Sequence, residues 1–502
     1  MEIHDGAVQR ISAHLRELYG RKEPYRIFHG STNSTRKYSV DPRRMVDTSA
    51  LSHVLSVDTQ KHTAIVEPNV PMDKLVEATL PYGLVPPVVM EFPGITVGGG
   101  FSGTGGESSS FQYGSFDAIV NWVEFVLPDG EVVKASKDNK ADLFFGASGS
   151  LGTLGVATLF EIRLIEARQY VKVTYRSFDS VSATLKAIEG SAMDRSSDYV
   201  DGILTSKTKG IVVTGKLTDE LDVALRVRHF RGARDPWFYI HADRVTRRPG
   251  DETQELVPLE DYLFRYDRGA FWMGKYAYRY FLTPFNRITR WALDDFMKTR
   301  TMYHALHASG HTEKYIVQDL VLPPGNVESF INQVDETFGI YPLWLCPMQA
   351  LDRKSLHPHA LPTENLDGSD KLTGRLNINV GVWGPGSNDY QSWIKLNRKL
   401  EYILRECGGR KWLYAPGFYS EDEFWSIYDK PWYDELRRKY NASHLPNAYD
   451  KACTSLIKPG ATLDKPFQQQ LLDTAWSTWP ISGLYGVMQT LISSDYLLSR
   501  RT

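Results

Sequence analysis

Short apolar, β-branched runs broken by glycine and proline dominate residues 24–166. HTAIVEP (62–68) reads as a strand stopped by Pro68, and MDKLVEATLPYG (72–83) carries apolar residues at helical spacing up to Gly83. In AIVNWVEFVLPDGEVVKA (118–135) two strand patterns flank Pro128, Asp129 and Gly130, a hairpin signature, and TLGVATLFEIRLIEA (153–167) predicts another strand. Beyond residue 167, QYVKVTYR, SDYVDGILTS, GIVVTGKL, KYIVQDLVLPP (314–324) and GRLNINVGVWGPG (374–386) predict strands with helical patterns between them. That alternation implies a second α+β unit built on an antiparallel sheet. From about residue 410 the pattern turns helical and is expected to return to the first unit.

Composition narrows the classes. A chain of 502 residues, 42% hydrophobic and 24% charged, can bury large cores in two or more domains. A formal net charge of −2 gives no basic footprint, so nucleic acid is not expected as a partner. Cys346, Cys407 and Cys453 lack CxxC spacing, which argues against a zinc site or a disulfide framework; no metal is expected, and reduced thiols point to a cytoplasmic setting. The first twenty residues predict a surface helix without a signal-peptide core, and no apolar run reaches the ~18 residues of a spanning helix. Residues 275–291 and 475–498 mix aromatic and apolar positions. Burial or a homodimer contact is favoured for them, with peripheral membrane contact as the alternative.

The densest chemical signal is TVGGGFSGTGGESSSFQYG (96–114). Gly98, Gly100 and Gly103 satisfy GxGxxG, and Glu124 follows at about the distance the dinucleotide fingerprint requires. Gly105, Gly106 and Gly114, however, would each cost roughly 1 kcal/mol in a helix. No helix is expected between Gly103 and the strand at Ile119, so the fingerprint is set aside for a non-helical loop whose N–H groups cradle an anion. GxxxxGK[ST], HExxH and GxSxG are absent. RIFHGSTNSTR (26–36) and GASGSLGTLGVAT (146–158) are further donor-rich segments. Together the three suggest an extended, phosphate-containing ligand bound mainly by backbone, with tight turns as the plainer alternative.

VEPNVPM (66–72), the glycine stretch, TLGVATLFEIRLI (153–165), VQDLVLP (317–323), YPLWLCPM (341–348), EFWSIYDKPWYDELRRKY (423–440) and AYDKAC (448–453) carry a family resemblance. The chain resembles the flavoproteins of the vanillyl-alcohol oxidase and p-cresol methylhydroxylase type, and within them the Δ24-sterol reductases (the seladin or Diminuto family). The resemblance implies an α+β, two-subdomain FAD-binding fold beneath an α+β cap on an antiparallel sheet. FAD binding would fall to residues 1–166 with a return at 410–453, the substrate cap to 167–409, and an interfacial or oligomeric extension to 454–502.

By the same resemblance the FAD contacts would be His29, Gly30, Ser31, Thr32 and Asn33; Thr96, Gly98, Gly103, Thr104, Gly105, Gly106, Glu107, Ser108, Ser109 and Tyr113; and Gly152, Gly155 and Val156. Because His29 precedes Gly30, FAD is expected to be noncovalent. The implied activity is reduction of a carbon–carbon double bond in a small apolar sterol or isoprenoid substrate with NADPH. An FAD oxidase, dehydrogenase or oxidative cyclase acting on a polyketide or terpenoid, and an inactive ligand-binding homologue, stand as alternatives. Asp319 is the leading proton donor, with Tyr449, Lys451 and Glu107 as the other catalytic candidates. Cys346 is expected to be buried and inert, and Trp272, Tyr276, Tyr278 and Tyr280 either line an apolar pocket or fill the core. The implied location is cytoplasmic, with peripheral attachment to the endoplasmic reticulum membrane open.

Overall fold

A computed structural model describes residues 2–29, 42–360, 372–453 and 479–493. The fold is mixed α+β and is organised by two large sheets. The smaller has five strands, β1 (Val54–Asp58), β2 (Thr63–Val66), β3 (Val120–Val126), β4 (Val132–Ser136) and β5 (Val156–Arg163), in the order β1-β2-β5-β3-β4. The larger has eight: β6 (Tyr170–Phe178), β7 (Tyr199–Ser206), β8 (Lys209–Thr218), β9 (Glu252–Pro258), β10 (Tyr315–Leu322), β11 (Leu343–Leu351), β12 (Leu372–Pro385) and β13 (Arg410–Lys411). They lie in the order β9-β6-β8-β7-β11-β12-β10-β13, antiparallel throughout.

Hydrophobic alternation fixes which way the larger sheet faces. Ile316, Leu320 and Leu322 of β10 and Ile378, Val380 and Val382 of β12 are buried in one cluster with Leu185 and Ile188 of helix Val181–Asp194, Phe330 and Ile331 of helix Pro324–Phe338, and Leu400 and Ile403 of helix Tyr390–Glu406. Fully burying each such side chain is worth roughly 1.5–3 kcal/mol, so slipping one strand by a residue would forfeit the whole set. The intervening residues Val317 and Asp319 of β10, and Asn379 and Trp383 of β12, consequently face the opposite side, where they line a cavity.

On the five-stranded side, β3 and β4 form the expected hairpin, with Gly130 supplying the left-handed φ of 84°. Helix Glu2–Gly20 buries Ile11, Leu15 and Leu18 along one face, and the Ser12 hydroxyl donates to the Gly130 carbonyl at 2.6 Å. The chain beyond residue 410 packs here as well: the Tyr433 hydroxyl donates to Thr153 Oγ1 and the Tyr440 hydroxyl to Asp142 Oδ1, both at 2.7 Å. The three cysteines form no disulfide.

Candidate functional site

The glycine stretch folds differently from expectation at its start. Val97–Ser102 is a helix with Thr96 as its N-cap, the Thr96 hydroxyl accepting from the Gly99 N–H at 3.2 Å. Between Gly103 and β3 there is also a one-turn helix, Ser110–Tyr113, and a 3-10 turn, Phe116–Ile119. Tertiary packing overrides the poor helix propensity of glycine. A Cβ on Gly100 would lie 2.5 Å from Met90 Cε and 3.0 Å from the Phe116 ring, so only glycine lets this turn seat against its neighbours.

The nest expectation is corrected in part. The N–H groups of Gly98, Gly100, Gly103 and Gly105 donate to Pro68, Thr96, Gly99 and Gly100 carbonyls, and that of Gly99 to Thr96. These five donors are therefore committed within the protein. What the stretch offers a ligand is close approach: Gly98, Gly99, Gly100, Gly103, Gly105 and Gly106 all line one cavity of about 570 Å³. Thr96, His29, Gly152 and Gly155 line the same cavity. This bare cradle, continuous with a cavity within the usual size range of cofactor sites, fits an extended ligand such as FAD.

Several anticipated contacts fall elsewhere. Thr104, Glu107, Ser108, Ser109, Tyr113 and Val156 are not among the cavity-lining residues. Thr104 adopts φ 52° and its carbonyl accepts from Trp412 Nε1 at 2.9 Å, while Val156 is fully buried in β5. Glu107 turns inward, accepting from the Ser108 hydroxyl at 2.8 Å and from that of Ser109, whose hydroxyl also lies 2.6 Å from the Pro87 carbonyl. Gly30, Ser31, Thr32 and Asn33 lie outside the described residues.

Asp319 on β10 lines the same cavity as the glycines. Asn379 Nδ2 donates to its Oδ1 at 2.9 Å, and the Tyr414 hydroxyl donates to its Oδ2 at 2.7 Å. Burial raises the carboxyl to about 6, against the pull of these donors toward the charged form. Sheet register builds the site. Asp319 pairs with Gly381, where a Cβ would lie 3.1 Å from Asp319 Oδ1, and the Trp412 N–H bonds the Asp319 carbonyl at 3.0 Å, which sets Tyr414 two residues on beside the carboxyl. Phe271, Phe296, Tyr303, Trp344 and Trp383 make the surrounding wall aromatic.

Of the other candidates, Lys451 lines the cavity, where its Nζ donates to the carbonyls of Leu151 (3.1 Å) and Gly152 (3.2 Å) and so braces the third glycine segment. Tyr449 does not line it; its hydroxyl faces the Tyr419 carbonyl. Trp272, Tyr276 and Tyr278 are buried in the core, whereas Tyr280 reaches the cavity. Cys346 is fully buried in β11 and burial pushes its thiol well up, an inert setting. Asn379, Tyr414 and Glu91, which also lines the cavity, escaped the sequence reading. The first had a visible signal: a polar residue repeating at period two in LNINVGVW, on the face opposite the apolar one. No group of three or more potential metal ligands occurs among the described residues.

Comparison with known proteins agrees with this geometry. A family profile described as an FAD binding domain matches residues 6–136. The chain is 29% identical over 417 residues to a Delta(24)-sterol reductase of Macaca fascicularis, covering 80% of this chain and 76% of that protein. It is 28% identical over 523 residues to a Delta(24)-sterol reductase of Pisum sativum, covering 94% and 88%. A shorter match, 30% over 141 residues, covers 28% of this chain and 26% of cytokinin dehydrogenase 4 of Oryza sativa subsp. japonica.

Proposed function

The chain belongs to the FAD-binding flavoproteins of the vanillyl-alcohol oxidase and p-cresol methylhydroxylase type, with the Δ24-sterol reductases among its relatives, and from that premise we propose that it reduces a carbon–carbon double bond of an apolar sterol or isoprenoid-type substrate with NADPH as electron source. The observation that carries this reading is Asp319, a buried carboxyl held near pKa 6 in an aromatic cavity that continues into the glycine cradle. Bound in that cradle, FAD would supply the two-electron chemistry that an unactivated double bond requires. Gly98, Gly103, Gly105 and Gly106, with Gly152 and Gly155, would hold it by close backbone approach.

The remaining work belongs to the chain's own side chains. The aromatic wall excludes water and orients an apolar substrate. Asp319 gives a proton from its carboxyl oxygen to the substrate carbon, and Tyr414 and Asn379 fix the carboxyl's direction. Acid precipitation of the yellow protein tests the noncovalent state: free FAD in the supernatant supports it, and flavin retained on the peptide, at His29 or His311, which both line the cavity, contradicts it.

A second reading draws on the same residue. With two hydrogen bonds donated to it and a pKa of about 6, Asp319 is mostly ionised at pH 7 and could instead take a proton in an FAD oxidase or dehydrogenase reaction. Reduction of the flavin by substrate rather than by NADPH would establish that direction.

We propose peripheral membrane contact as part of the first reading. Among the described residues no helix is long and apolar enough to cross a membrane. Leu282, Ile288, Trp291, Trp479, Leu484 and Ile492 are nevertheless exposed, and Tyr280, Gly483 and Val487 of the same two stretches line the cavity. The Trp479 Nε1 bond to the Tyr280 carbonyl, 2.6 Å, joins the two segments. Such a face suits the interfacial region of a bilayer.

A further inference from the structure

Behind the glycine cradle the structure buries three carboxyls around one guanidinium: Glu91, Glu107 and Asp201 around Arg265, each no more than 6% exposed. Arg265 is spoken for. Its Nη2 lies 3.1 Å from Asp201 Oδ2 and 3.2 Å from the Ser108 hydroxyl, and Nη1 donates to the Tyr262 carbonyl at 2.9 Å. Asp201 Oδ2 gains further donors in the Tyr266 hydroxyl (2.8 Å) and Trp344 Nε1 (3.0 Å). Glu107 accepts from the hydroxyls of Ser108 and Ser109.

Glu91 has less support, its own backbone N–H. Its Oε1 is buried without a hydrogen-bond partner, and its side chain lines the cavity. Were all three acids ionised, two uncompensated negative charges would sit out of water, each costing several kcal/mol. A proton is held most readily where the fewest donors stabilise the anion, and that position is Glu91, whose carboxyl is met by its own backbone N–H alone. Desolvation and the neighbouring Glu107 and Asp201 act in the same direction, raising the Glu91 carboxyl well above the usual range, while Arg265 and the Glu91 backbone N–H oppose them. The other titratable groups acting here, Cys346 and the hydroxyls of Tyr199, Tyr262 and Tyr266, are all pushed up and stay neutral.

We infer that Glu91 is carried as a neutral acid and that its carboxyl O–H is offered to an acceptor atom of the ligand in the cavity, either a ring carbonyl of FAD or the oxygen of an apolar alcohol or ketone. The inference rests on the reading of the cavity as the FAD and substrate site. It divides labour between the two cavity carboxyls: Asp319, already bonded by two donors, exchanges its proton near pH 6, whereas Glu91 keeps its own and uses it to hold the ligand.

Infrared difference spectroscopy of the FAD-loaded protein at pH 7.5 tests this without turnover. The account expects a protonated-carboxyl band that is lost in Glu91→Gln and kept in Glu107→Gln and Glu401→Gln, the other buried glutamates whose carboxyls are raised. A shift of that band on dithionite reduction assigns the acceptor to FAD; a shift only on adding cholesterol assigns it to the substrate. If Glu91→Gln does not fold, uniform labelling with ¹³C-glutamate identifies the band as a glutamate's in wild-type protein, and the other two variants complete the assignment by elimination. A band indifferent to Glu91→Gln, or lost in Glu107→Gln, overturns the inference, as does a Glu91 band that neither treatment moves. Failure of alkene reduction with the Glu91 band in place would count against the reductase reading alone.

Discussion

The Tyr414 hydroxyl donates to Asp319 Oδ2 across 2.7 Å, joining the segment after β13 to the cavity face of β10. The bond favours the charged carboxylate and so works against the burial that raises Asp319 to about 6. Tyr414→Phe should therefore move Asp319 to a higher pKa. In the reductase reading the protonated form is active, so alkene-driven flavin reoxidation should be fastest below pH about 6, fall tenfold per unit above it, and retain its rate to higher pH in Tyr414→Phe. A profile that shifts to lower pH would contradict the assignment.

Asp319→Asn keeps the shape of the side chain but cannot donate as an acid. It should leave FAD content and NADPH-driven flavin reduction near wild type while slowing alkene-dependent reoxidation roughly 100-fold or more and flattening its pH dependence. Stopped-flow absorbance resolves the two half-reactions. An unchanged second half-reaction would remove Asp319 from proton transfer.

The same shift has a stability consequence. A carboxyl whose pKa rises from 3.8 unfolded to about 6 folded binds its proton more tightly in the native state. Its contribution is present below pH 4 and is lost as pH rises through 6, a swing on the order of 3 kcal/mol. Asp319→Asn should thus gain stability relative to wild type between pH 4 and 7, measured by urea unfolding; a relative loss would show that the carboxylate is better solvated than the structure implies.

Strand patterns, the hairpin at Gly130 and the apolar face of the larger sheet were legible because period two is written directly in residues such as Ile316, Leu320 and Leu322. The helix at Val97–Ser102 was not, because what permits it is the absence of space beside Gly100, and that depends on Met90 and Phe116. Asp319 could be singled out from VQDLVLP, but Tyr414 and Asn379 come to it through register between distant segments. Glu91 was hidden for the opposite reason: its significance lies in donors it lacks, which no local pattern records.

Gly106→Val tests the cradle. A Cβ there would lie 2.3 Å from Met348 Cε, so Met348 must be displaced, and the larger side chain narrows the cavity that both residues line. Purified protein should keep its far-UV circular dichroism but carry little flavin. Full FAD occupancy would mean the glycine serves the turn and not the ligand.

Replacing Leu484 and Trp291 by glutamate places charge on the exposed apolar face. The double variant should lose sedimentation with phosphatidylcholine–phosphatidylserine vesicles while retaining FAD and activity on a dispersed substrate. Unaltered sedimentation, or a change from dimer to monomer by light scattering with no vesicle binding in wild type, would assign the face to protein contact instead.

The most direct test of the central claim is anaerobic: NADPH is added to the FAD-loaded protein, and a sterol bearing a side-chain double bond is mixed with the reduced enzyme. The account predicts that NADPH bleaches the flavin, that the alkene restores its colour at a rate dependent on Asp319, and that the saturated sterol is recovered in equal amount. A flavin untouched by NADPH but bleached by an alcohol or polyketide substrate, with peroxide formed on admitting air, would contradict it.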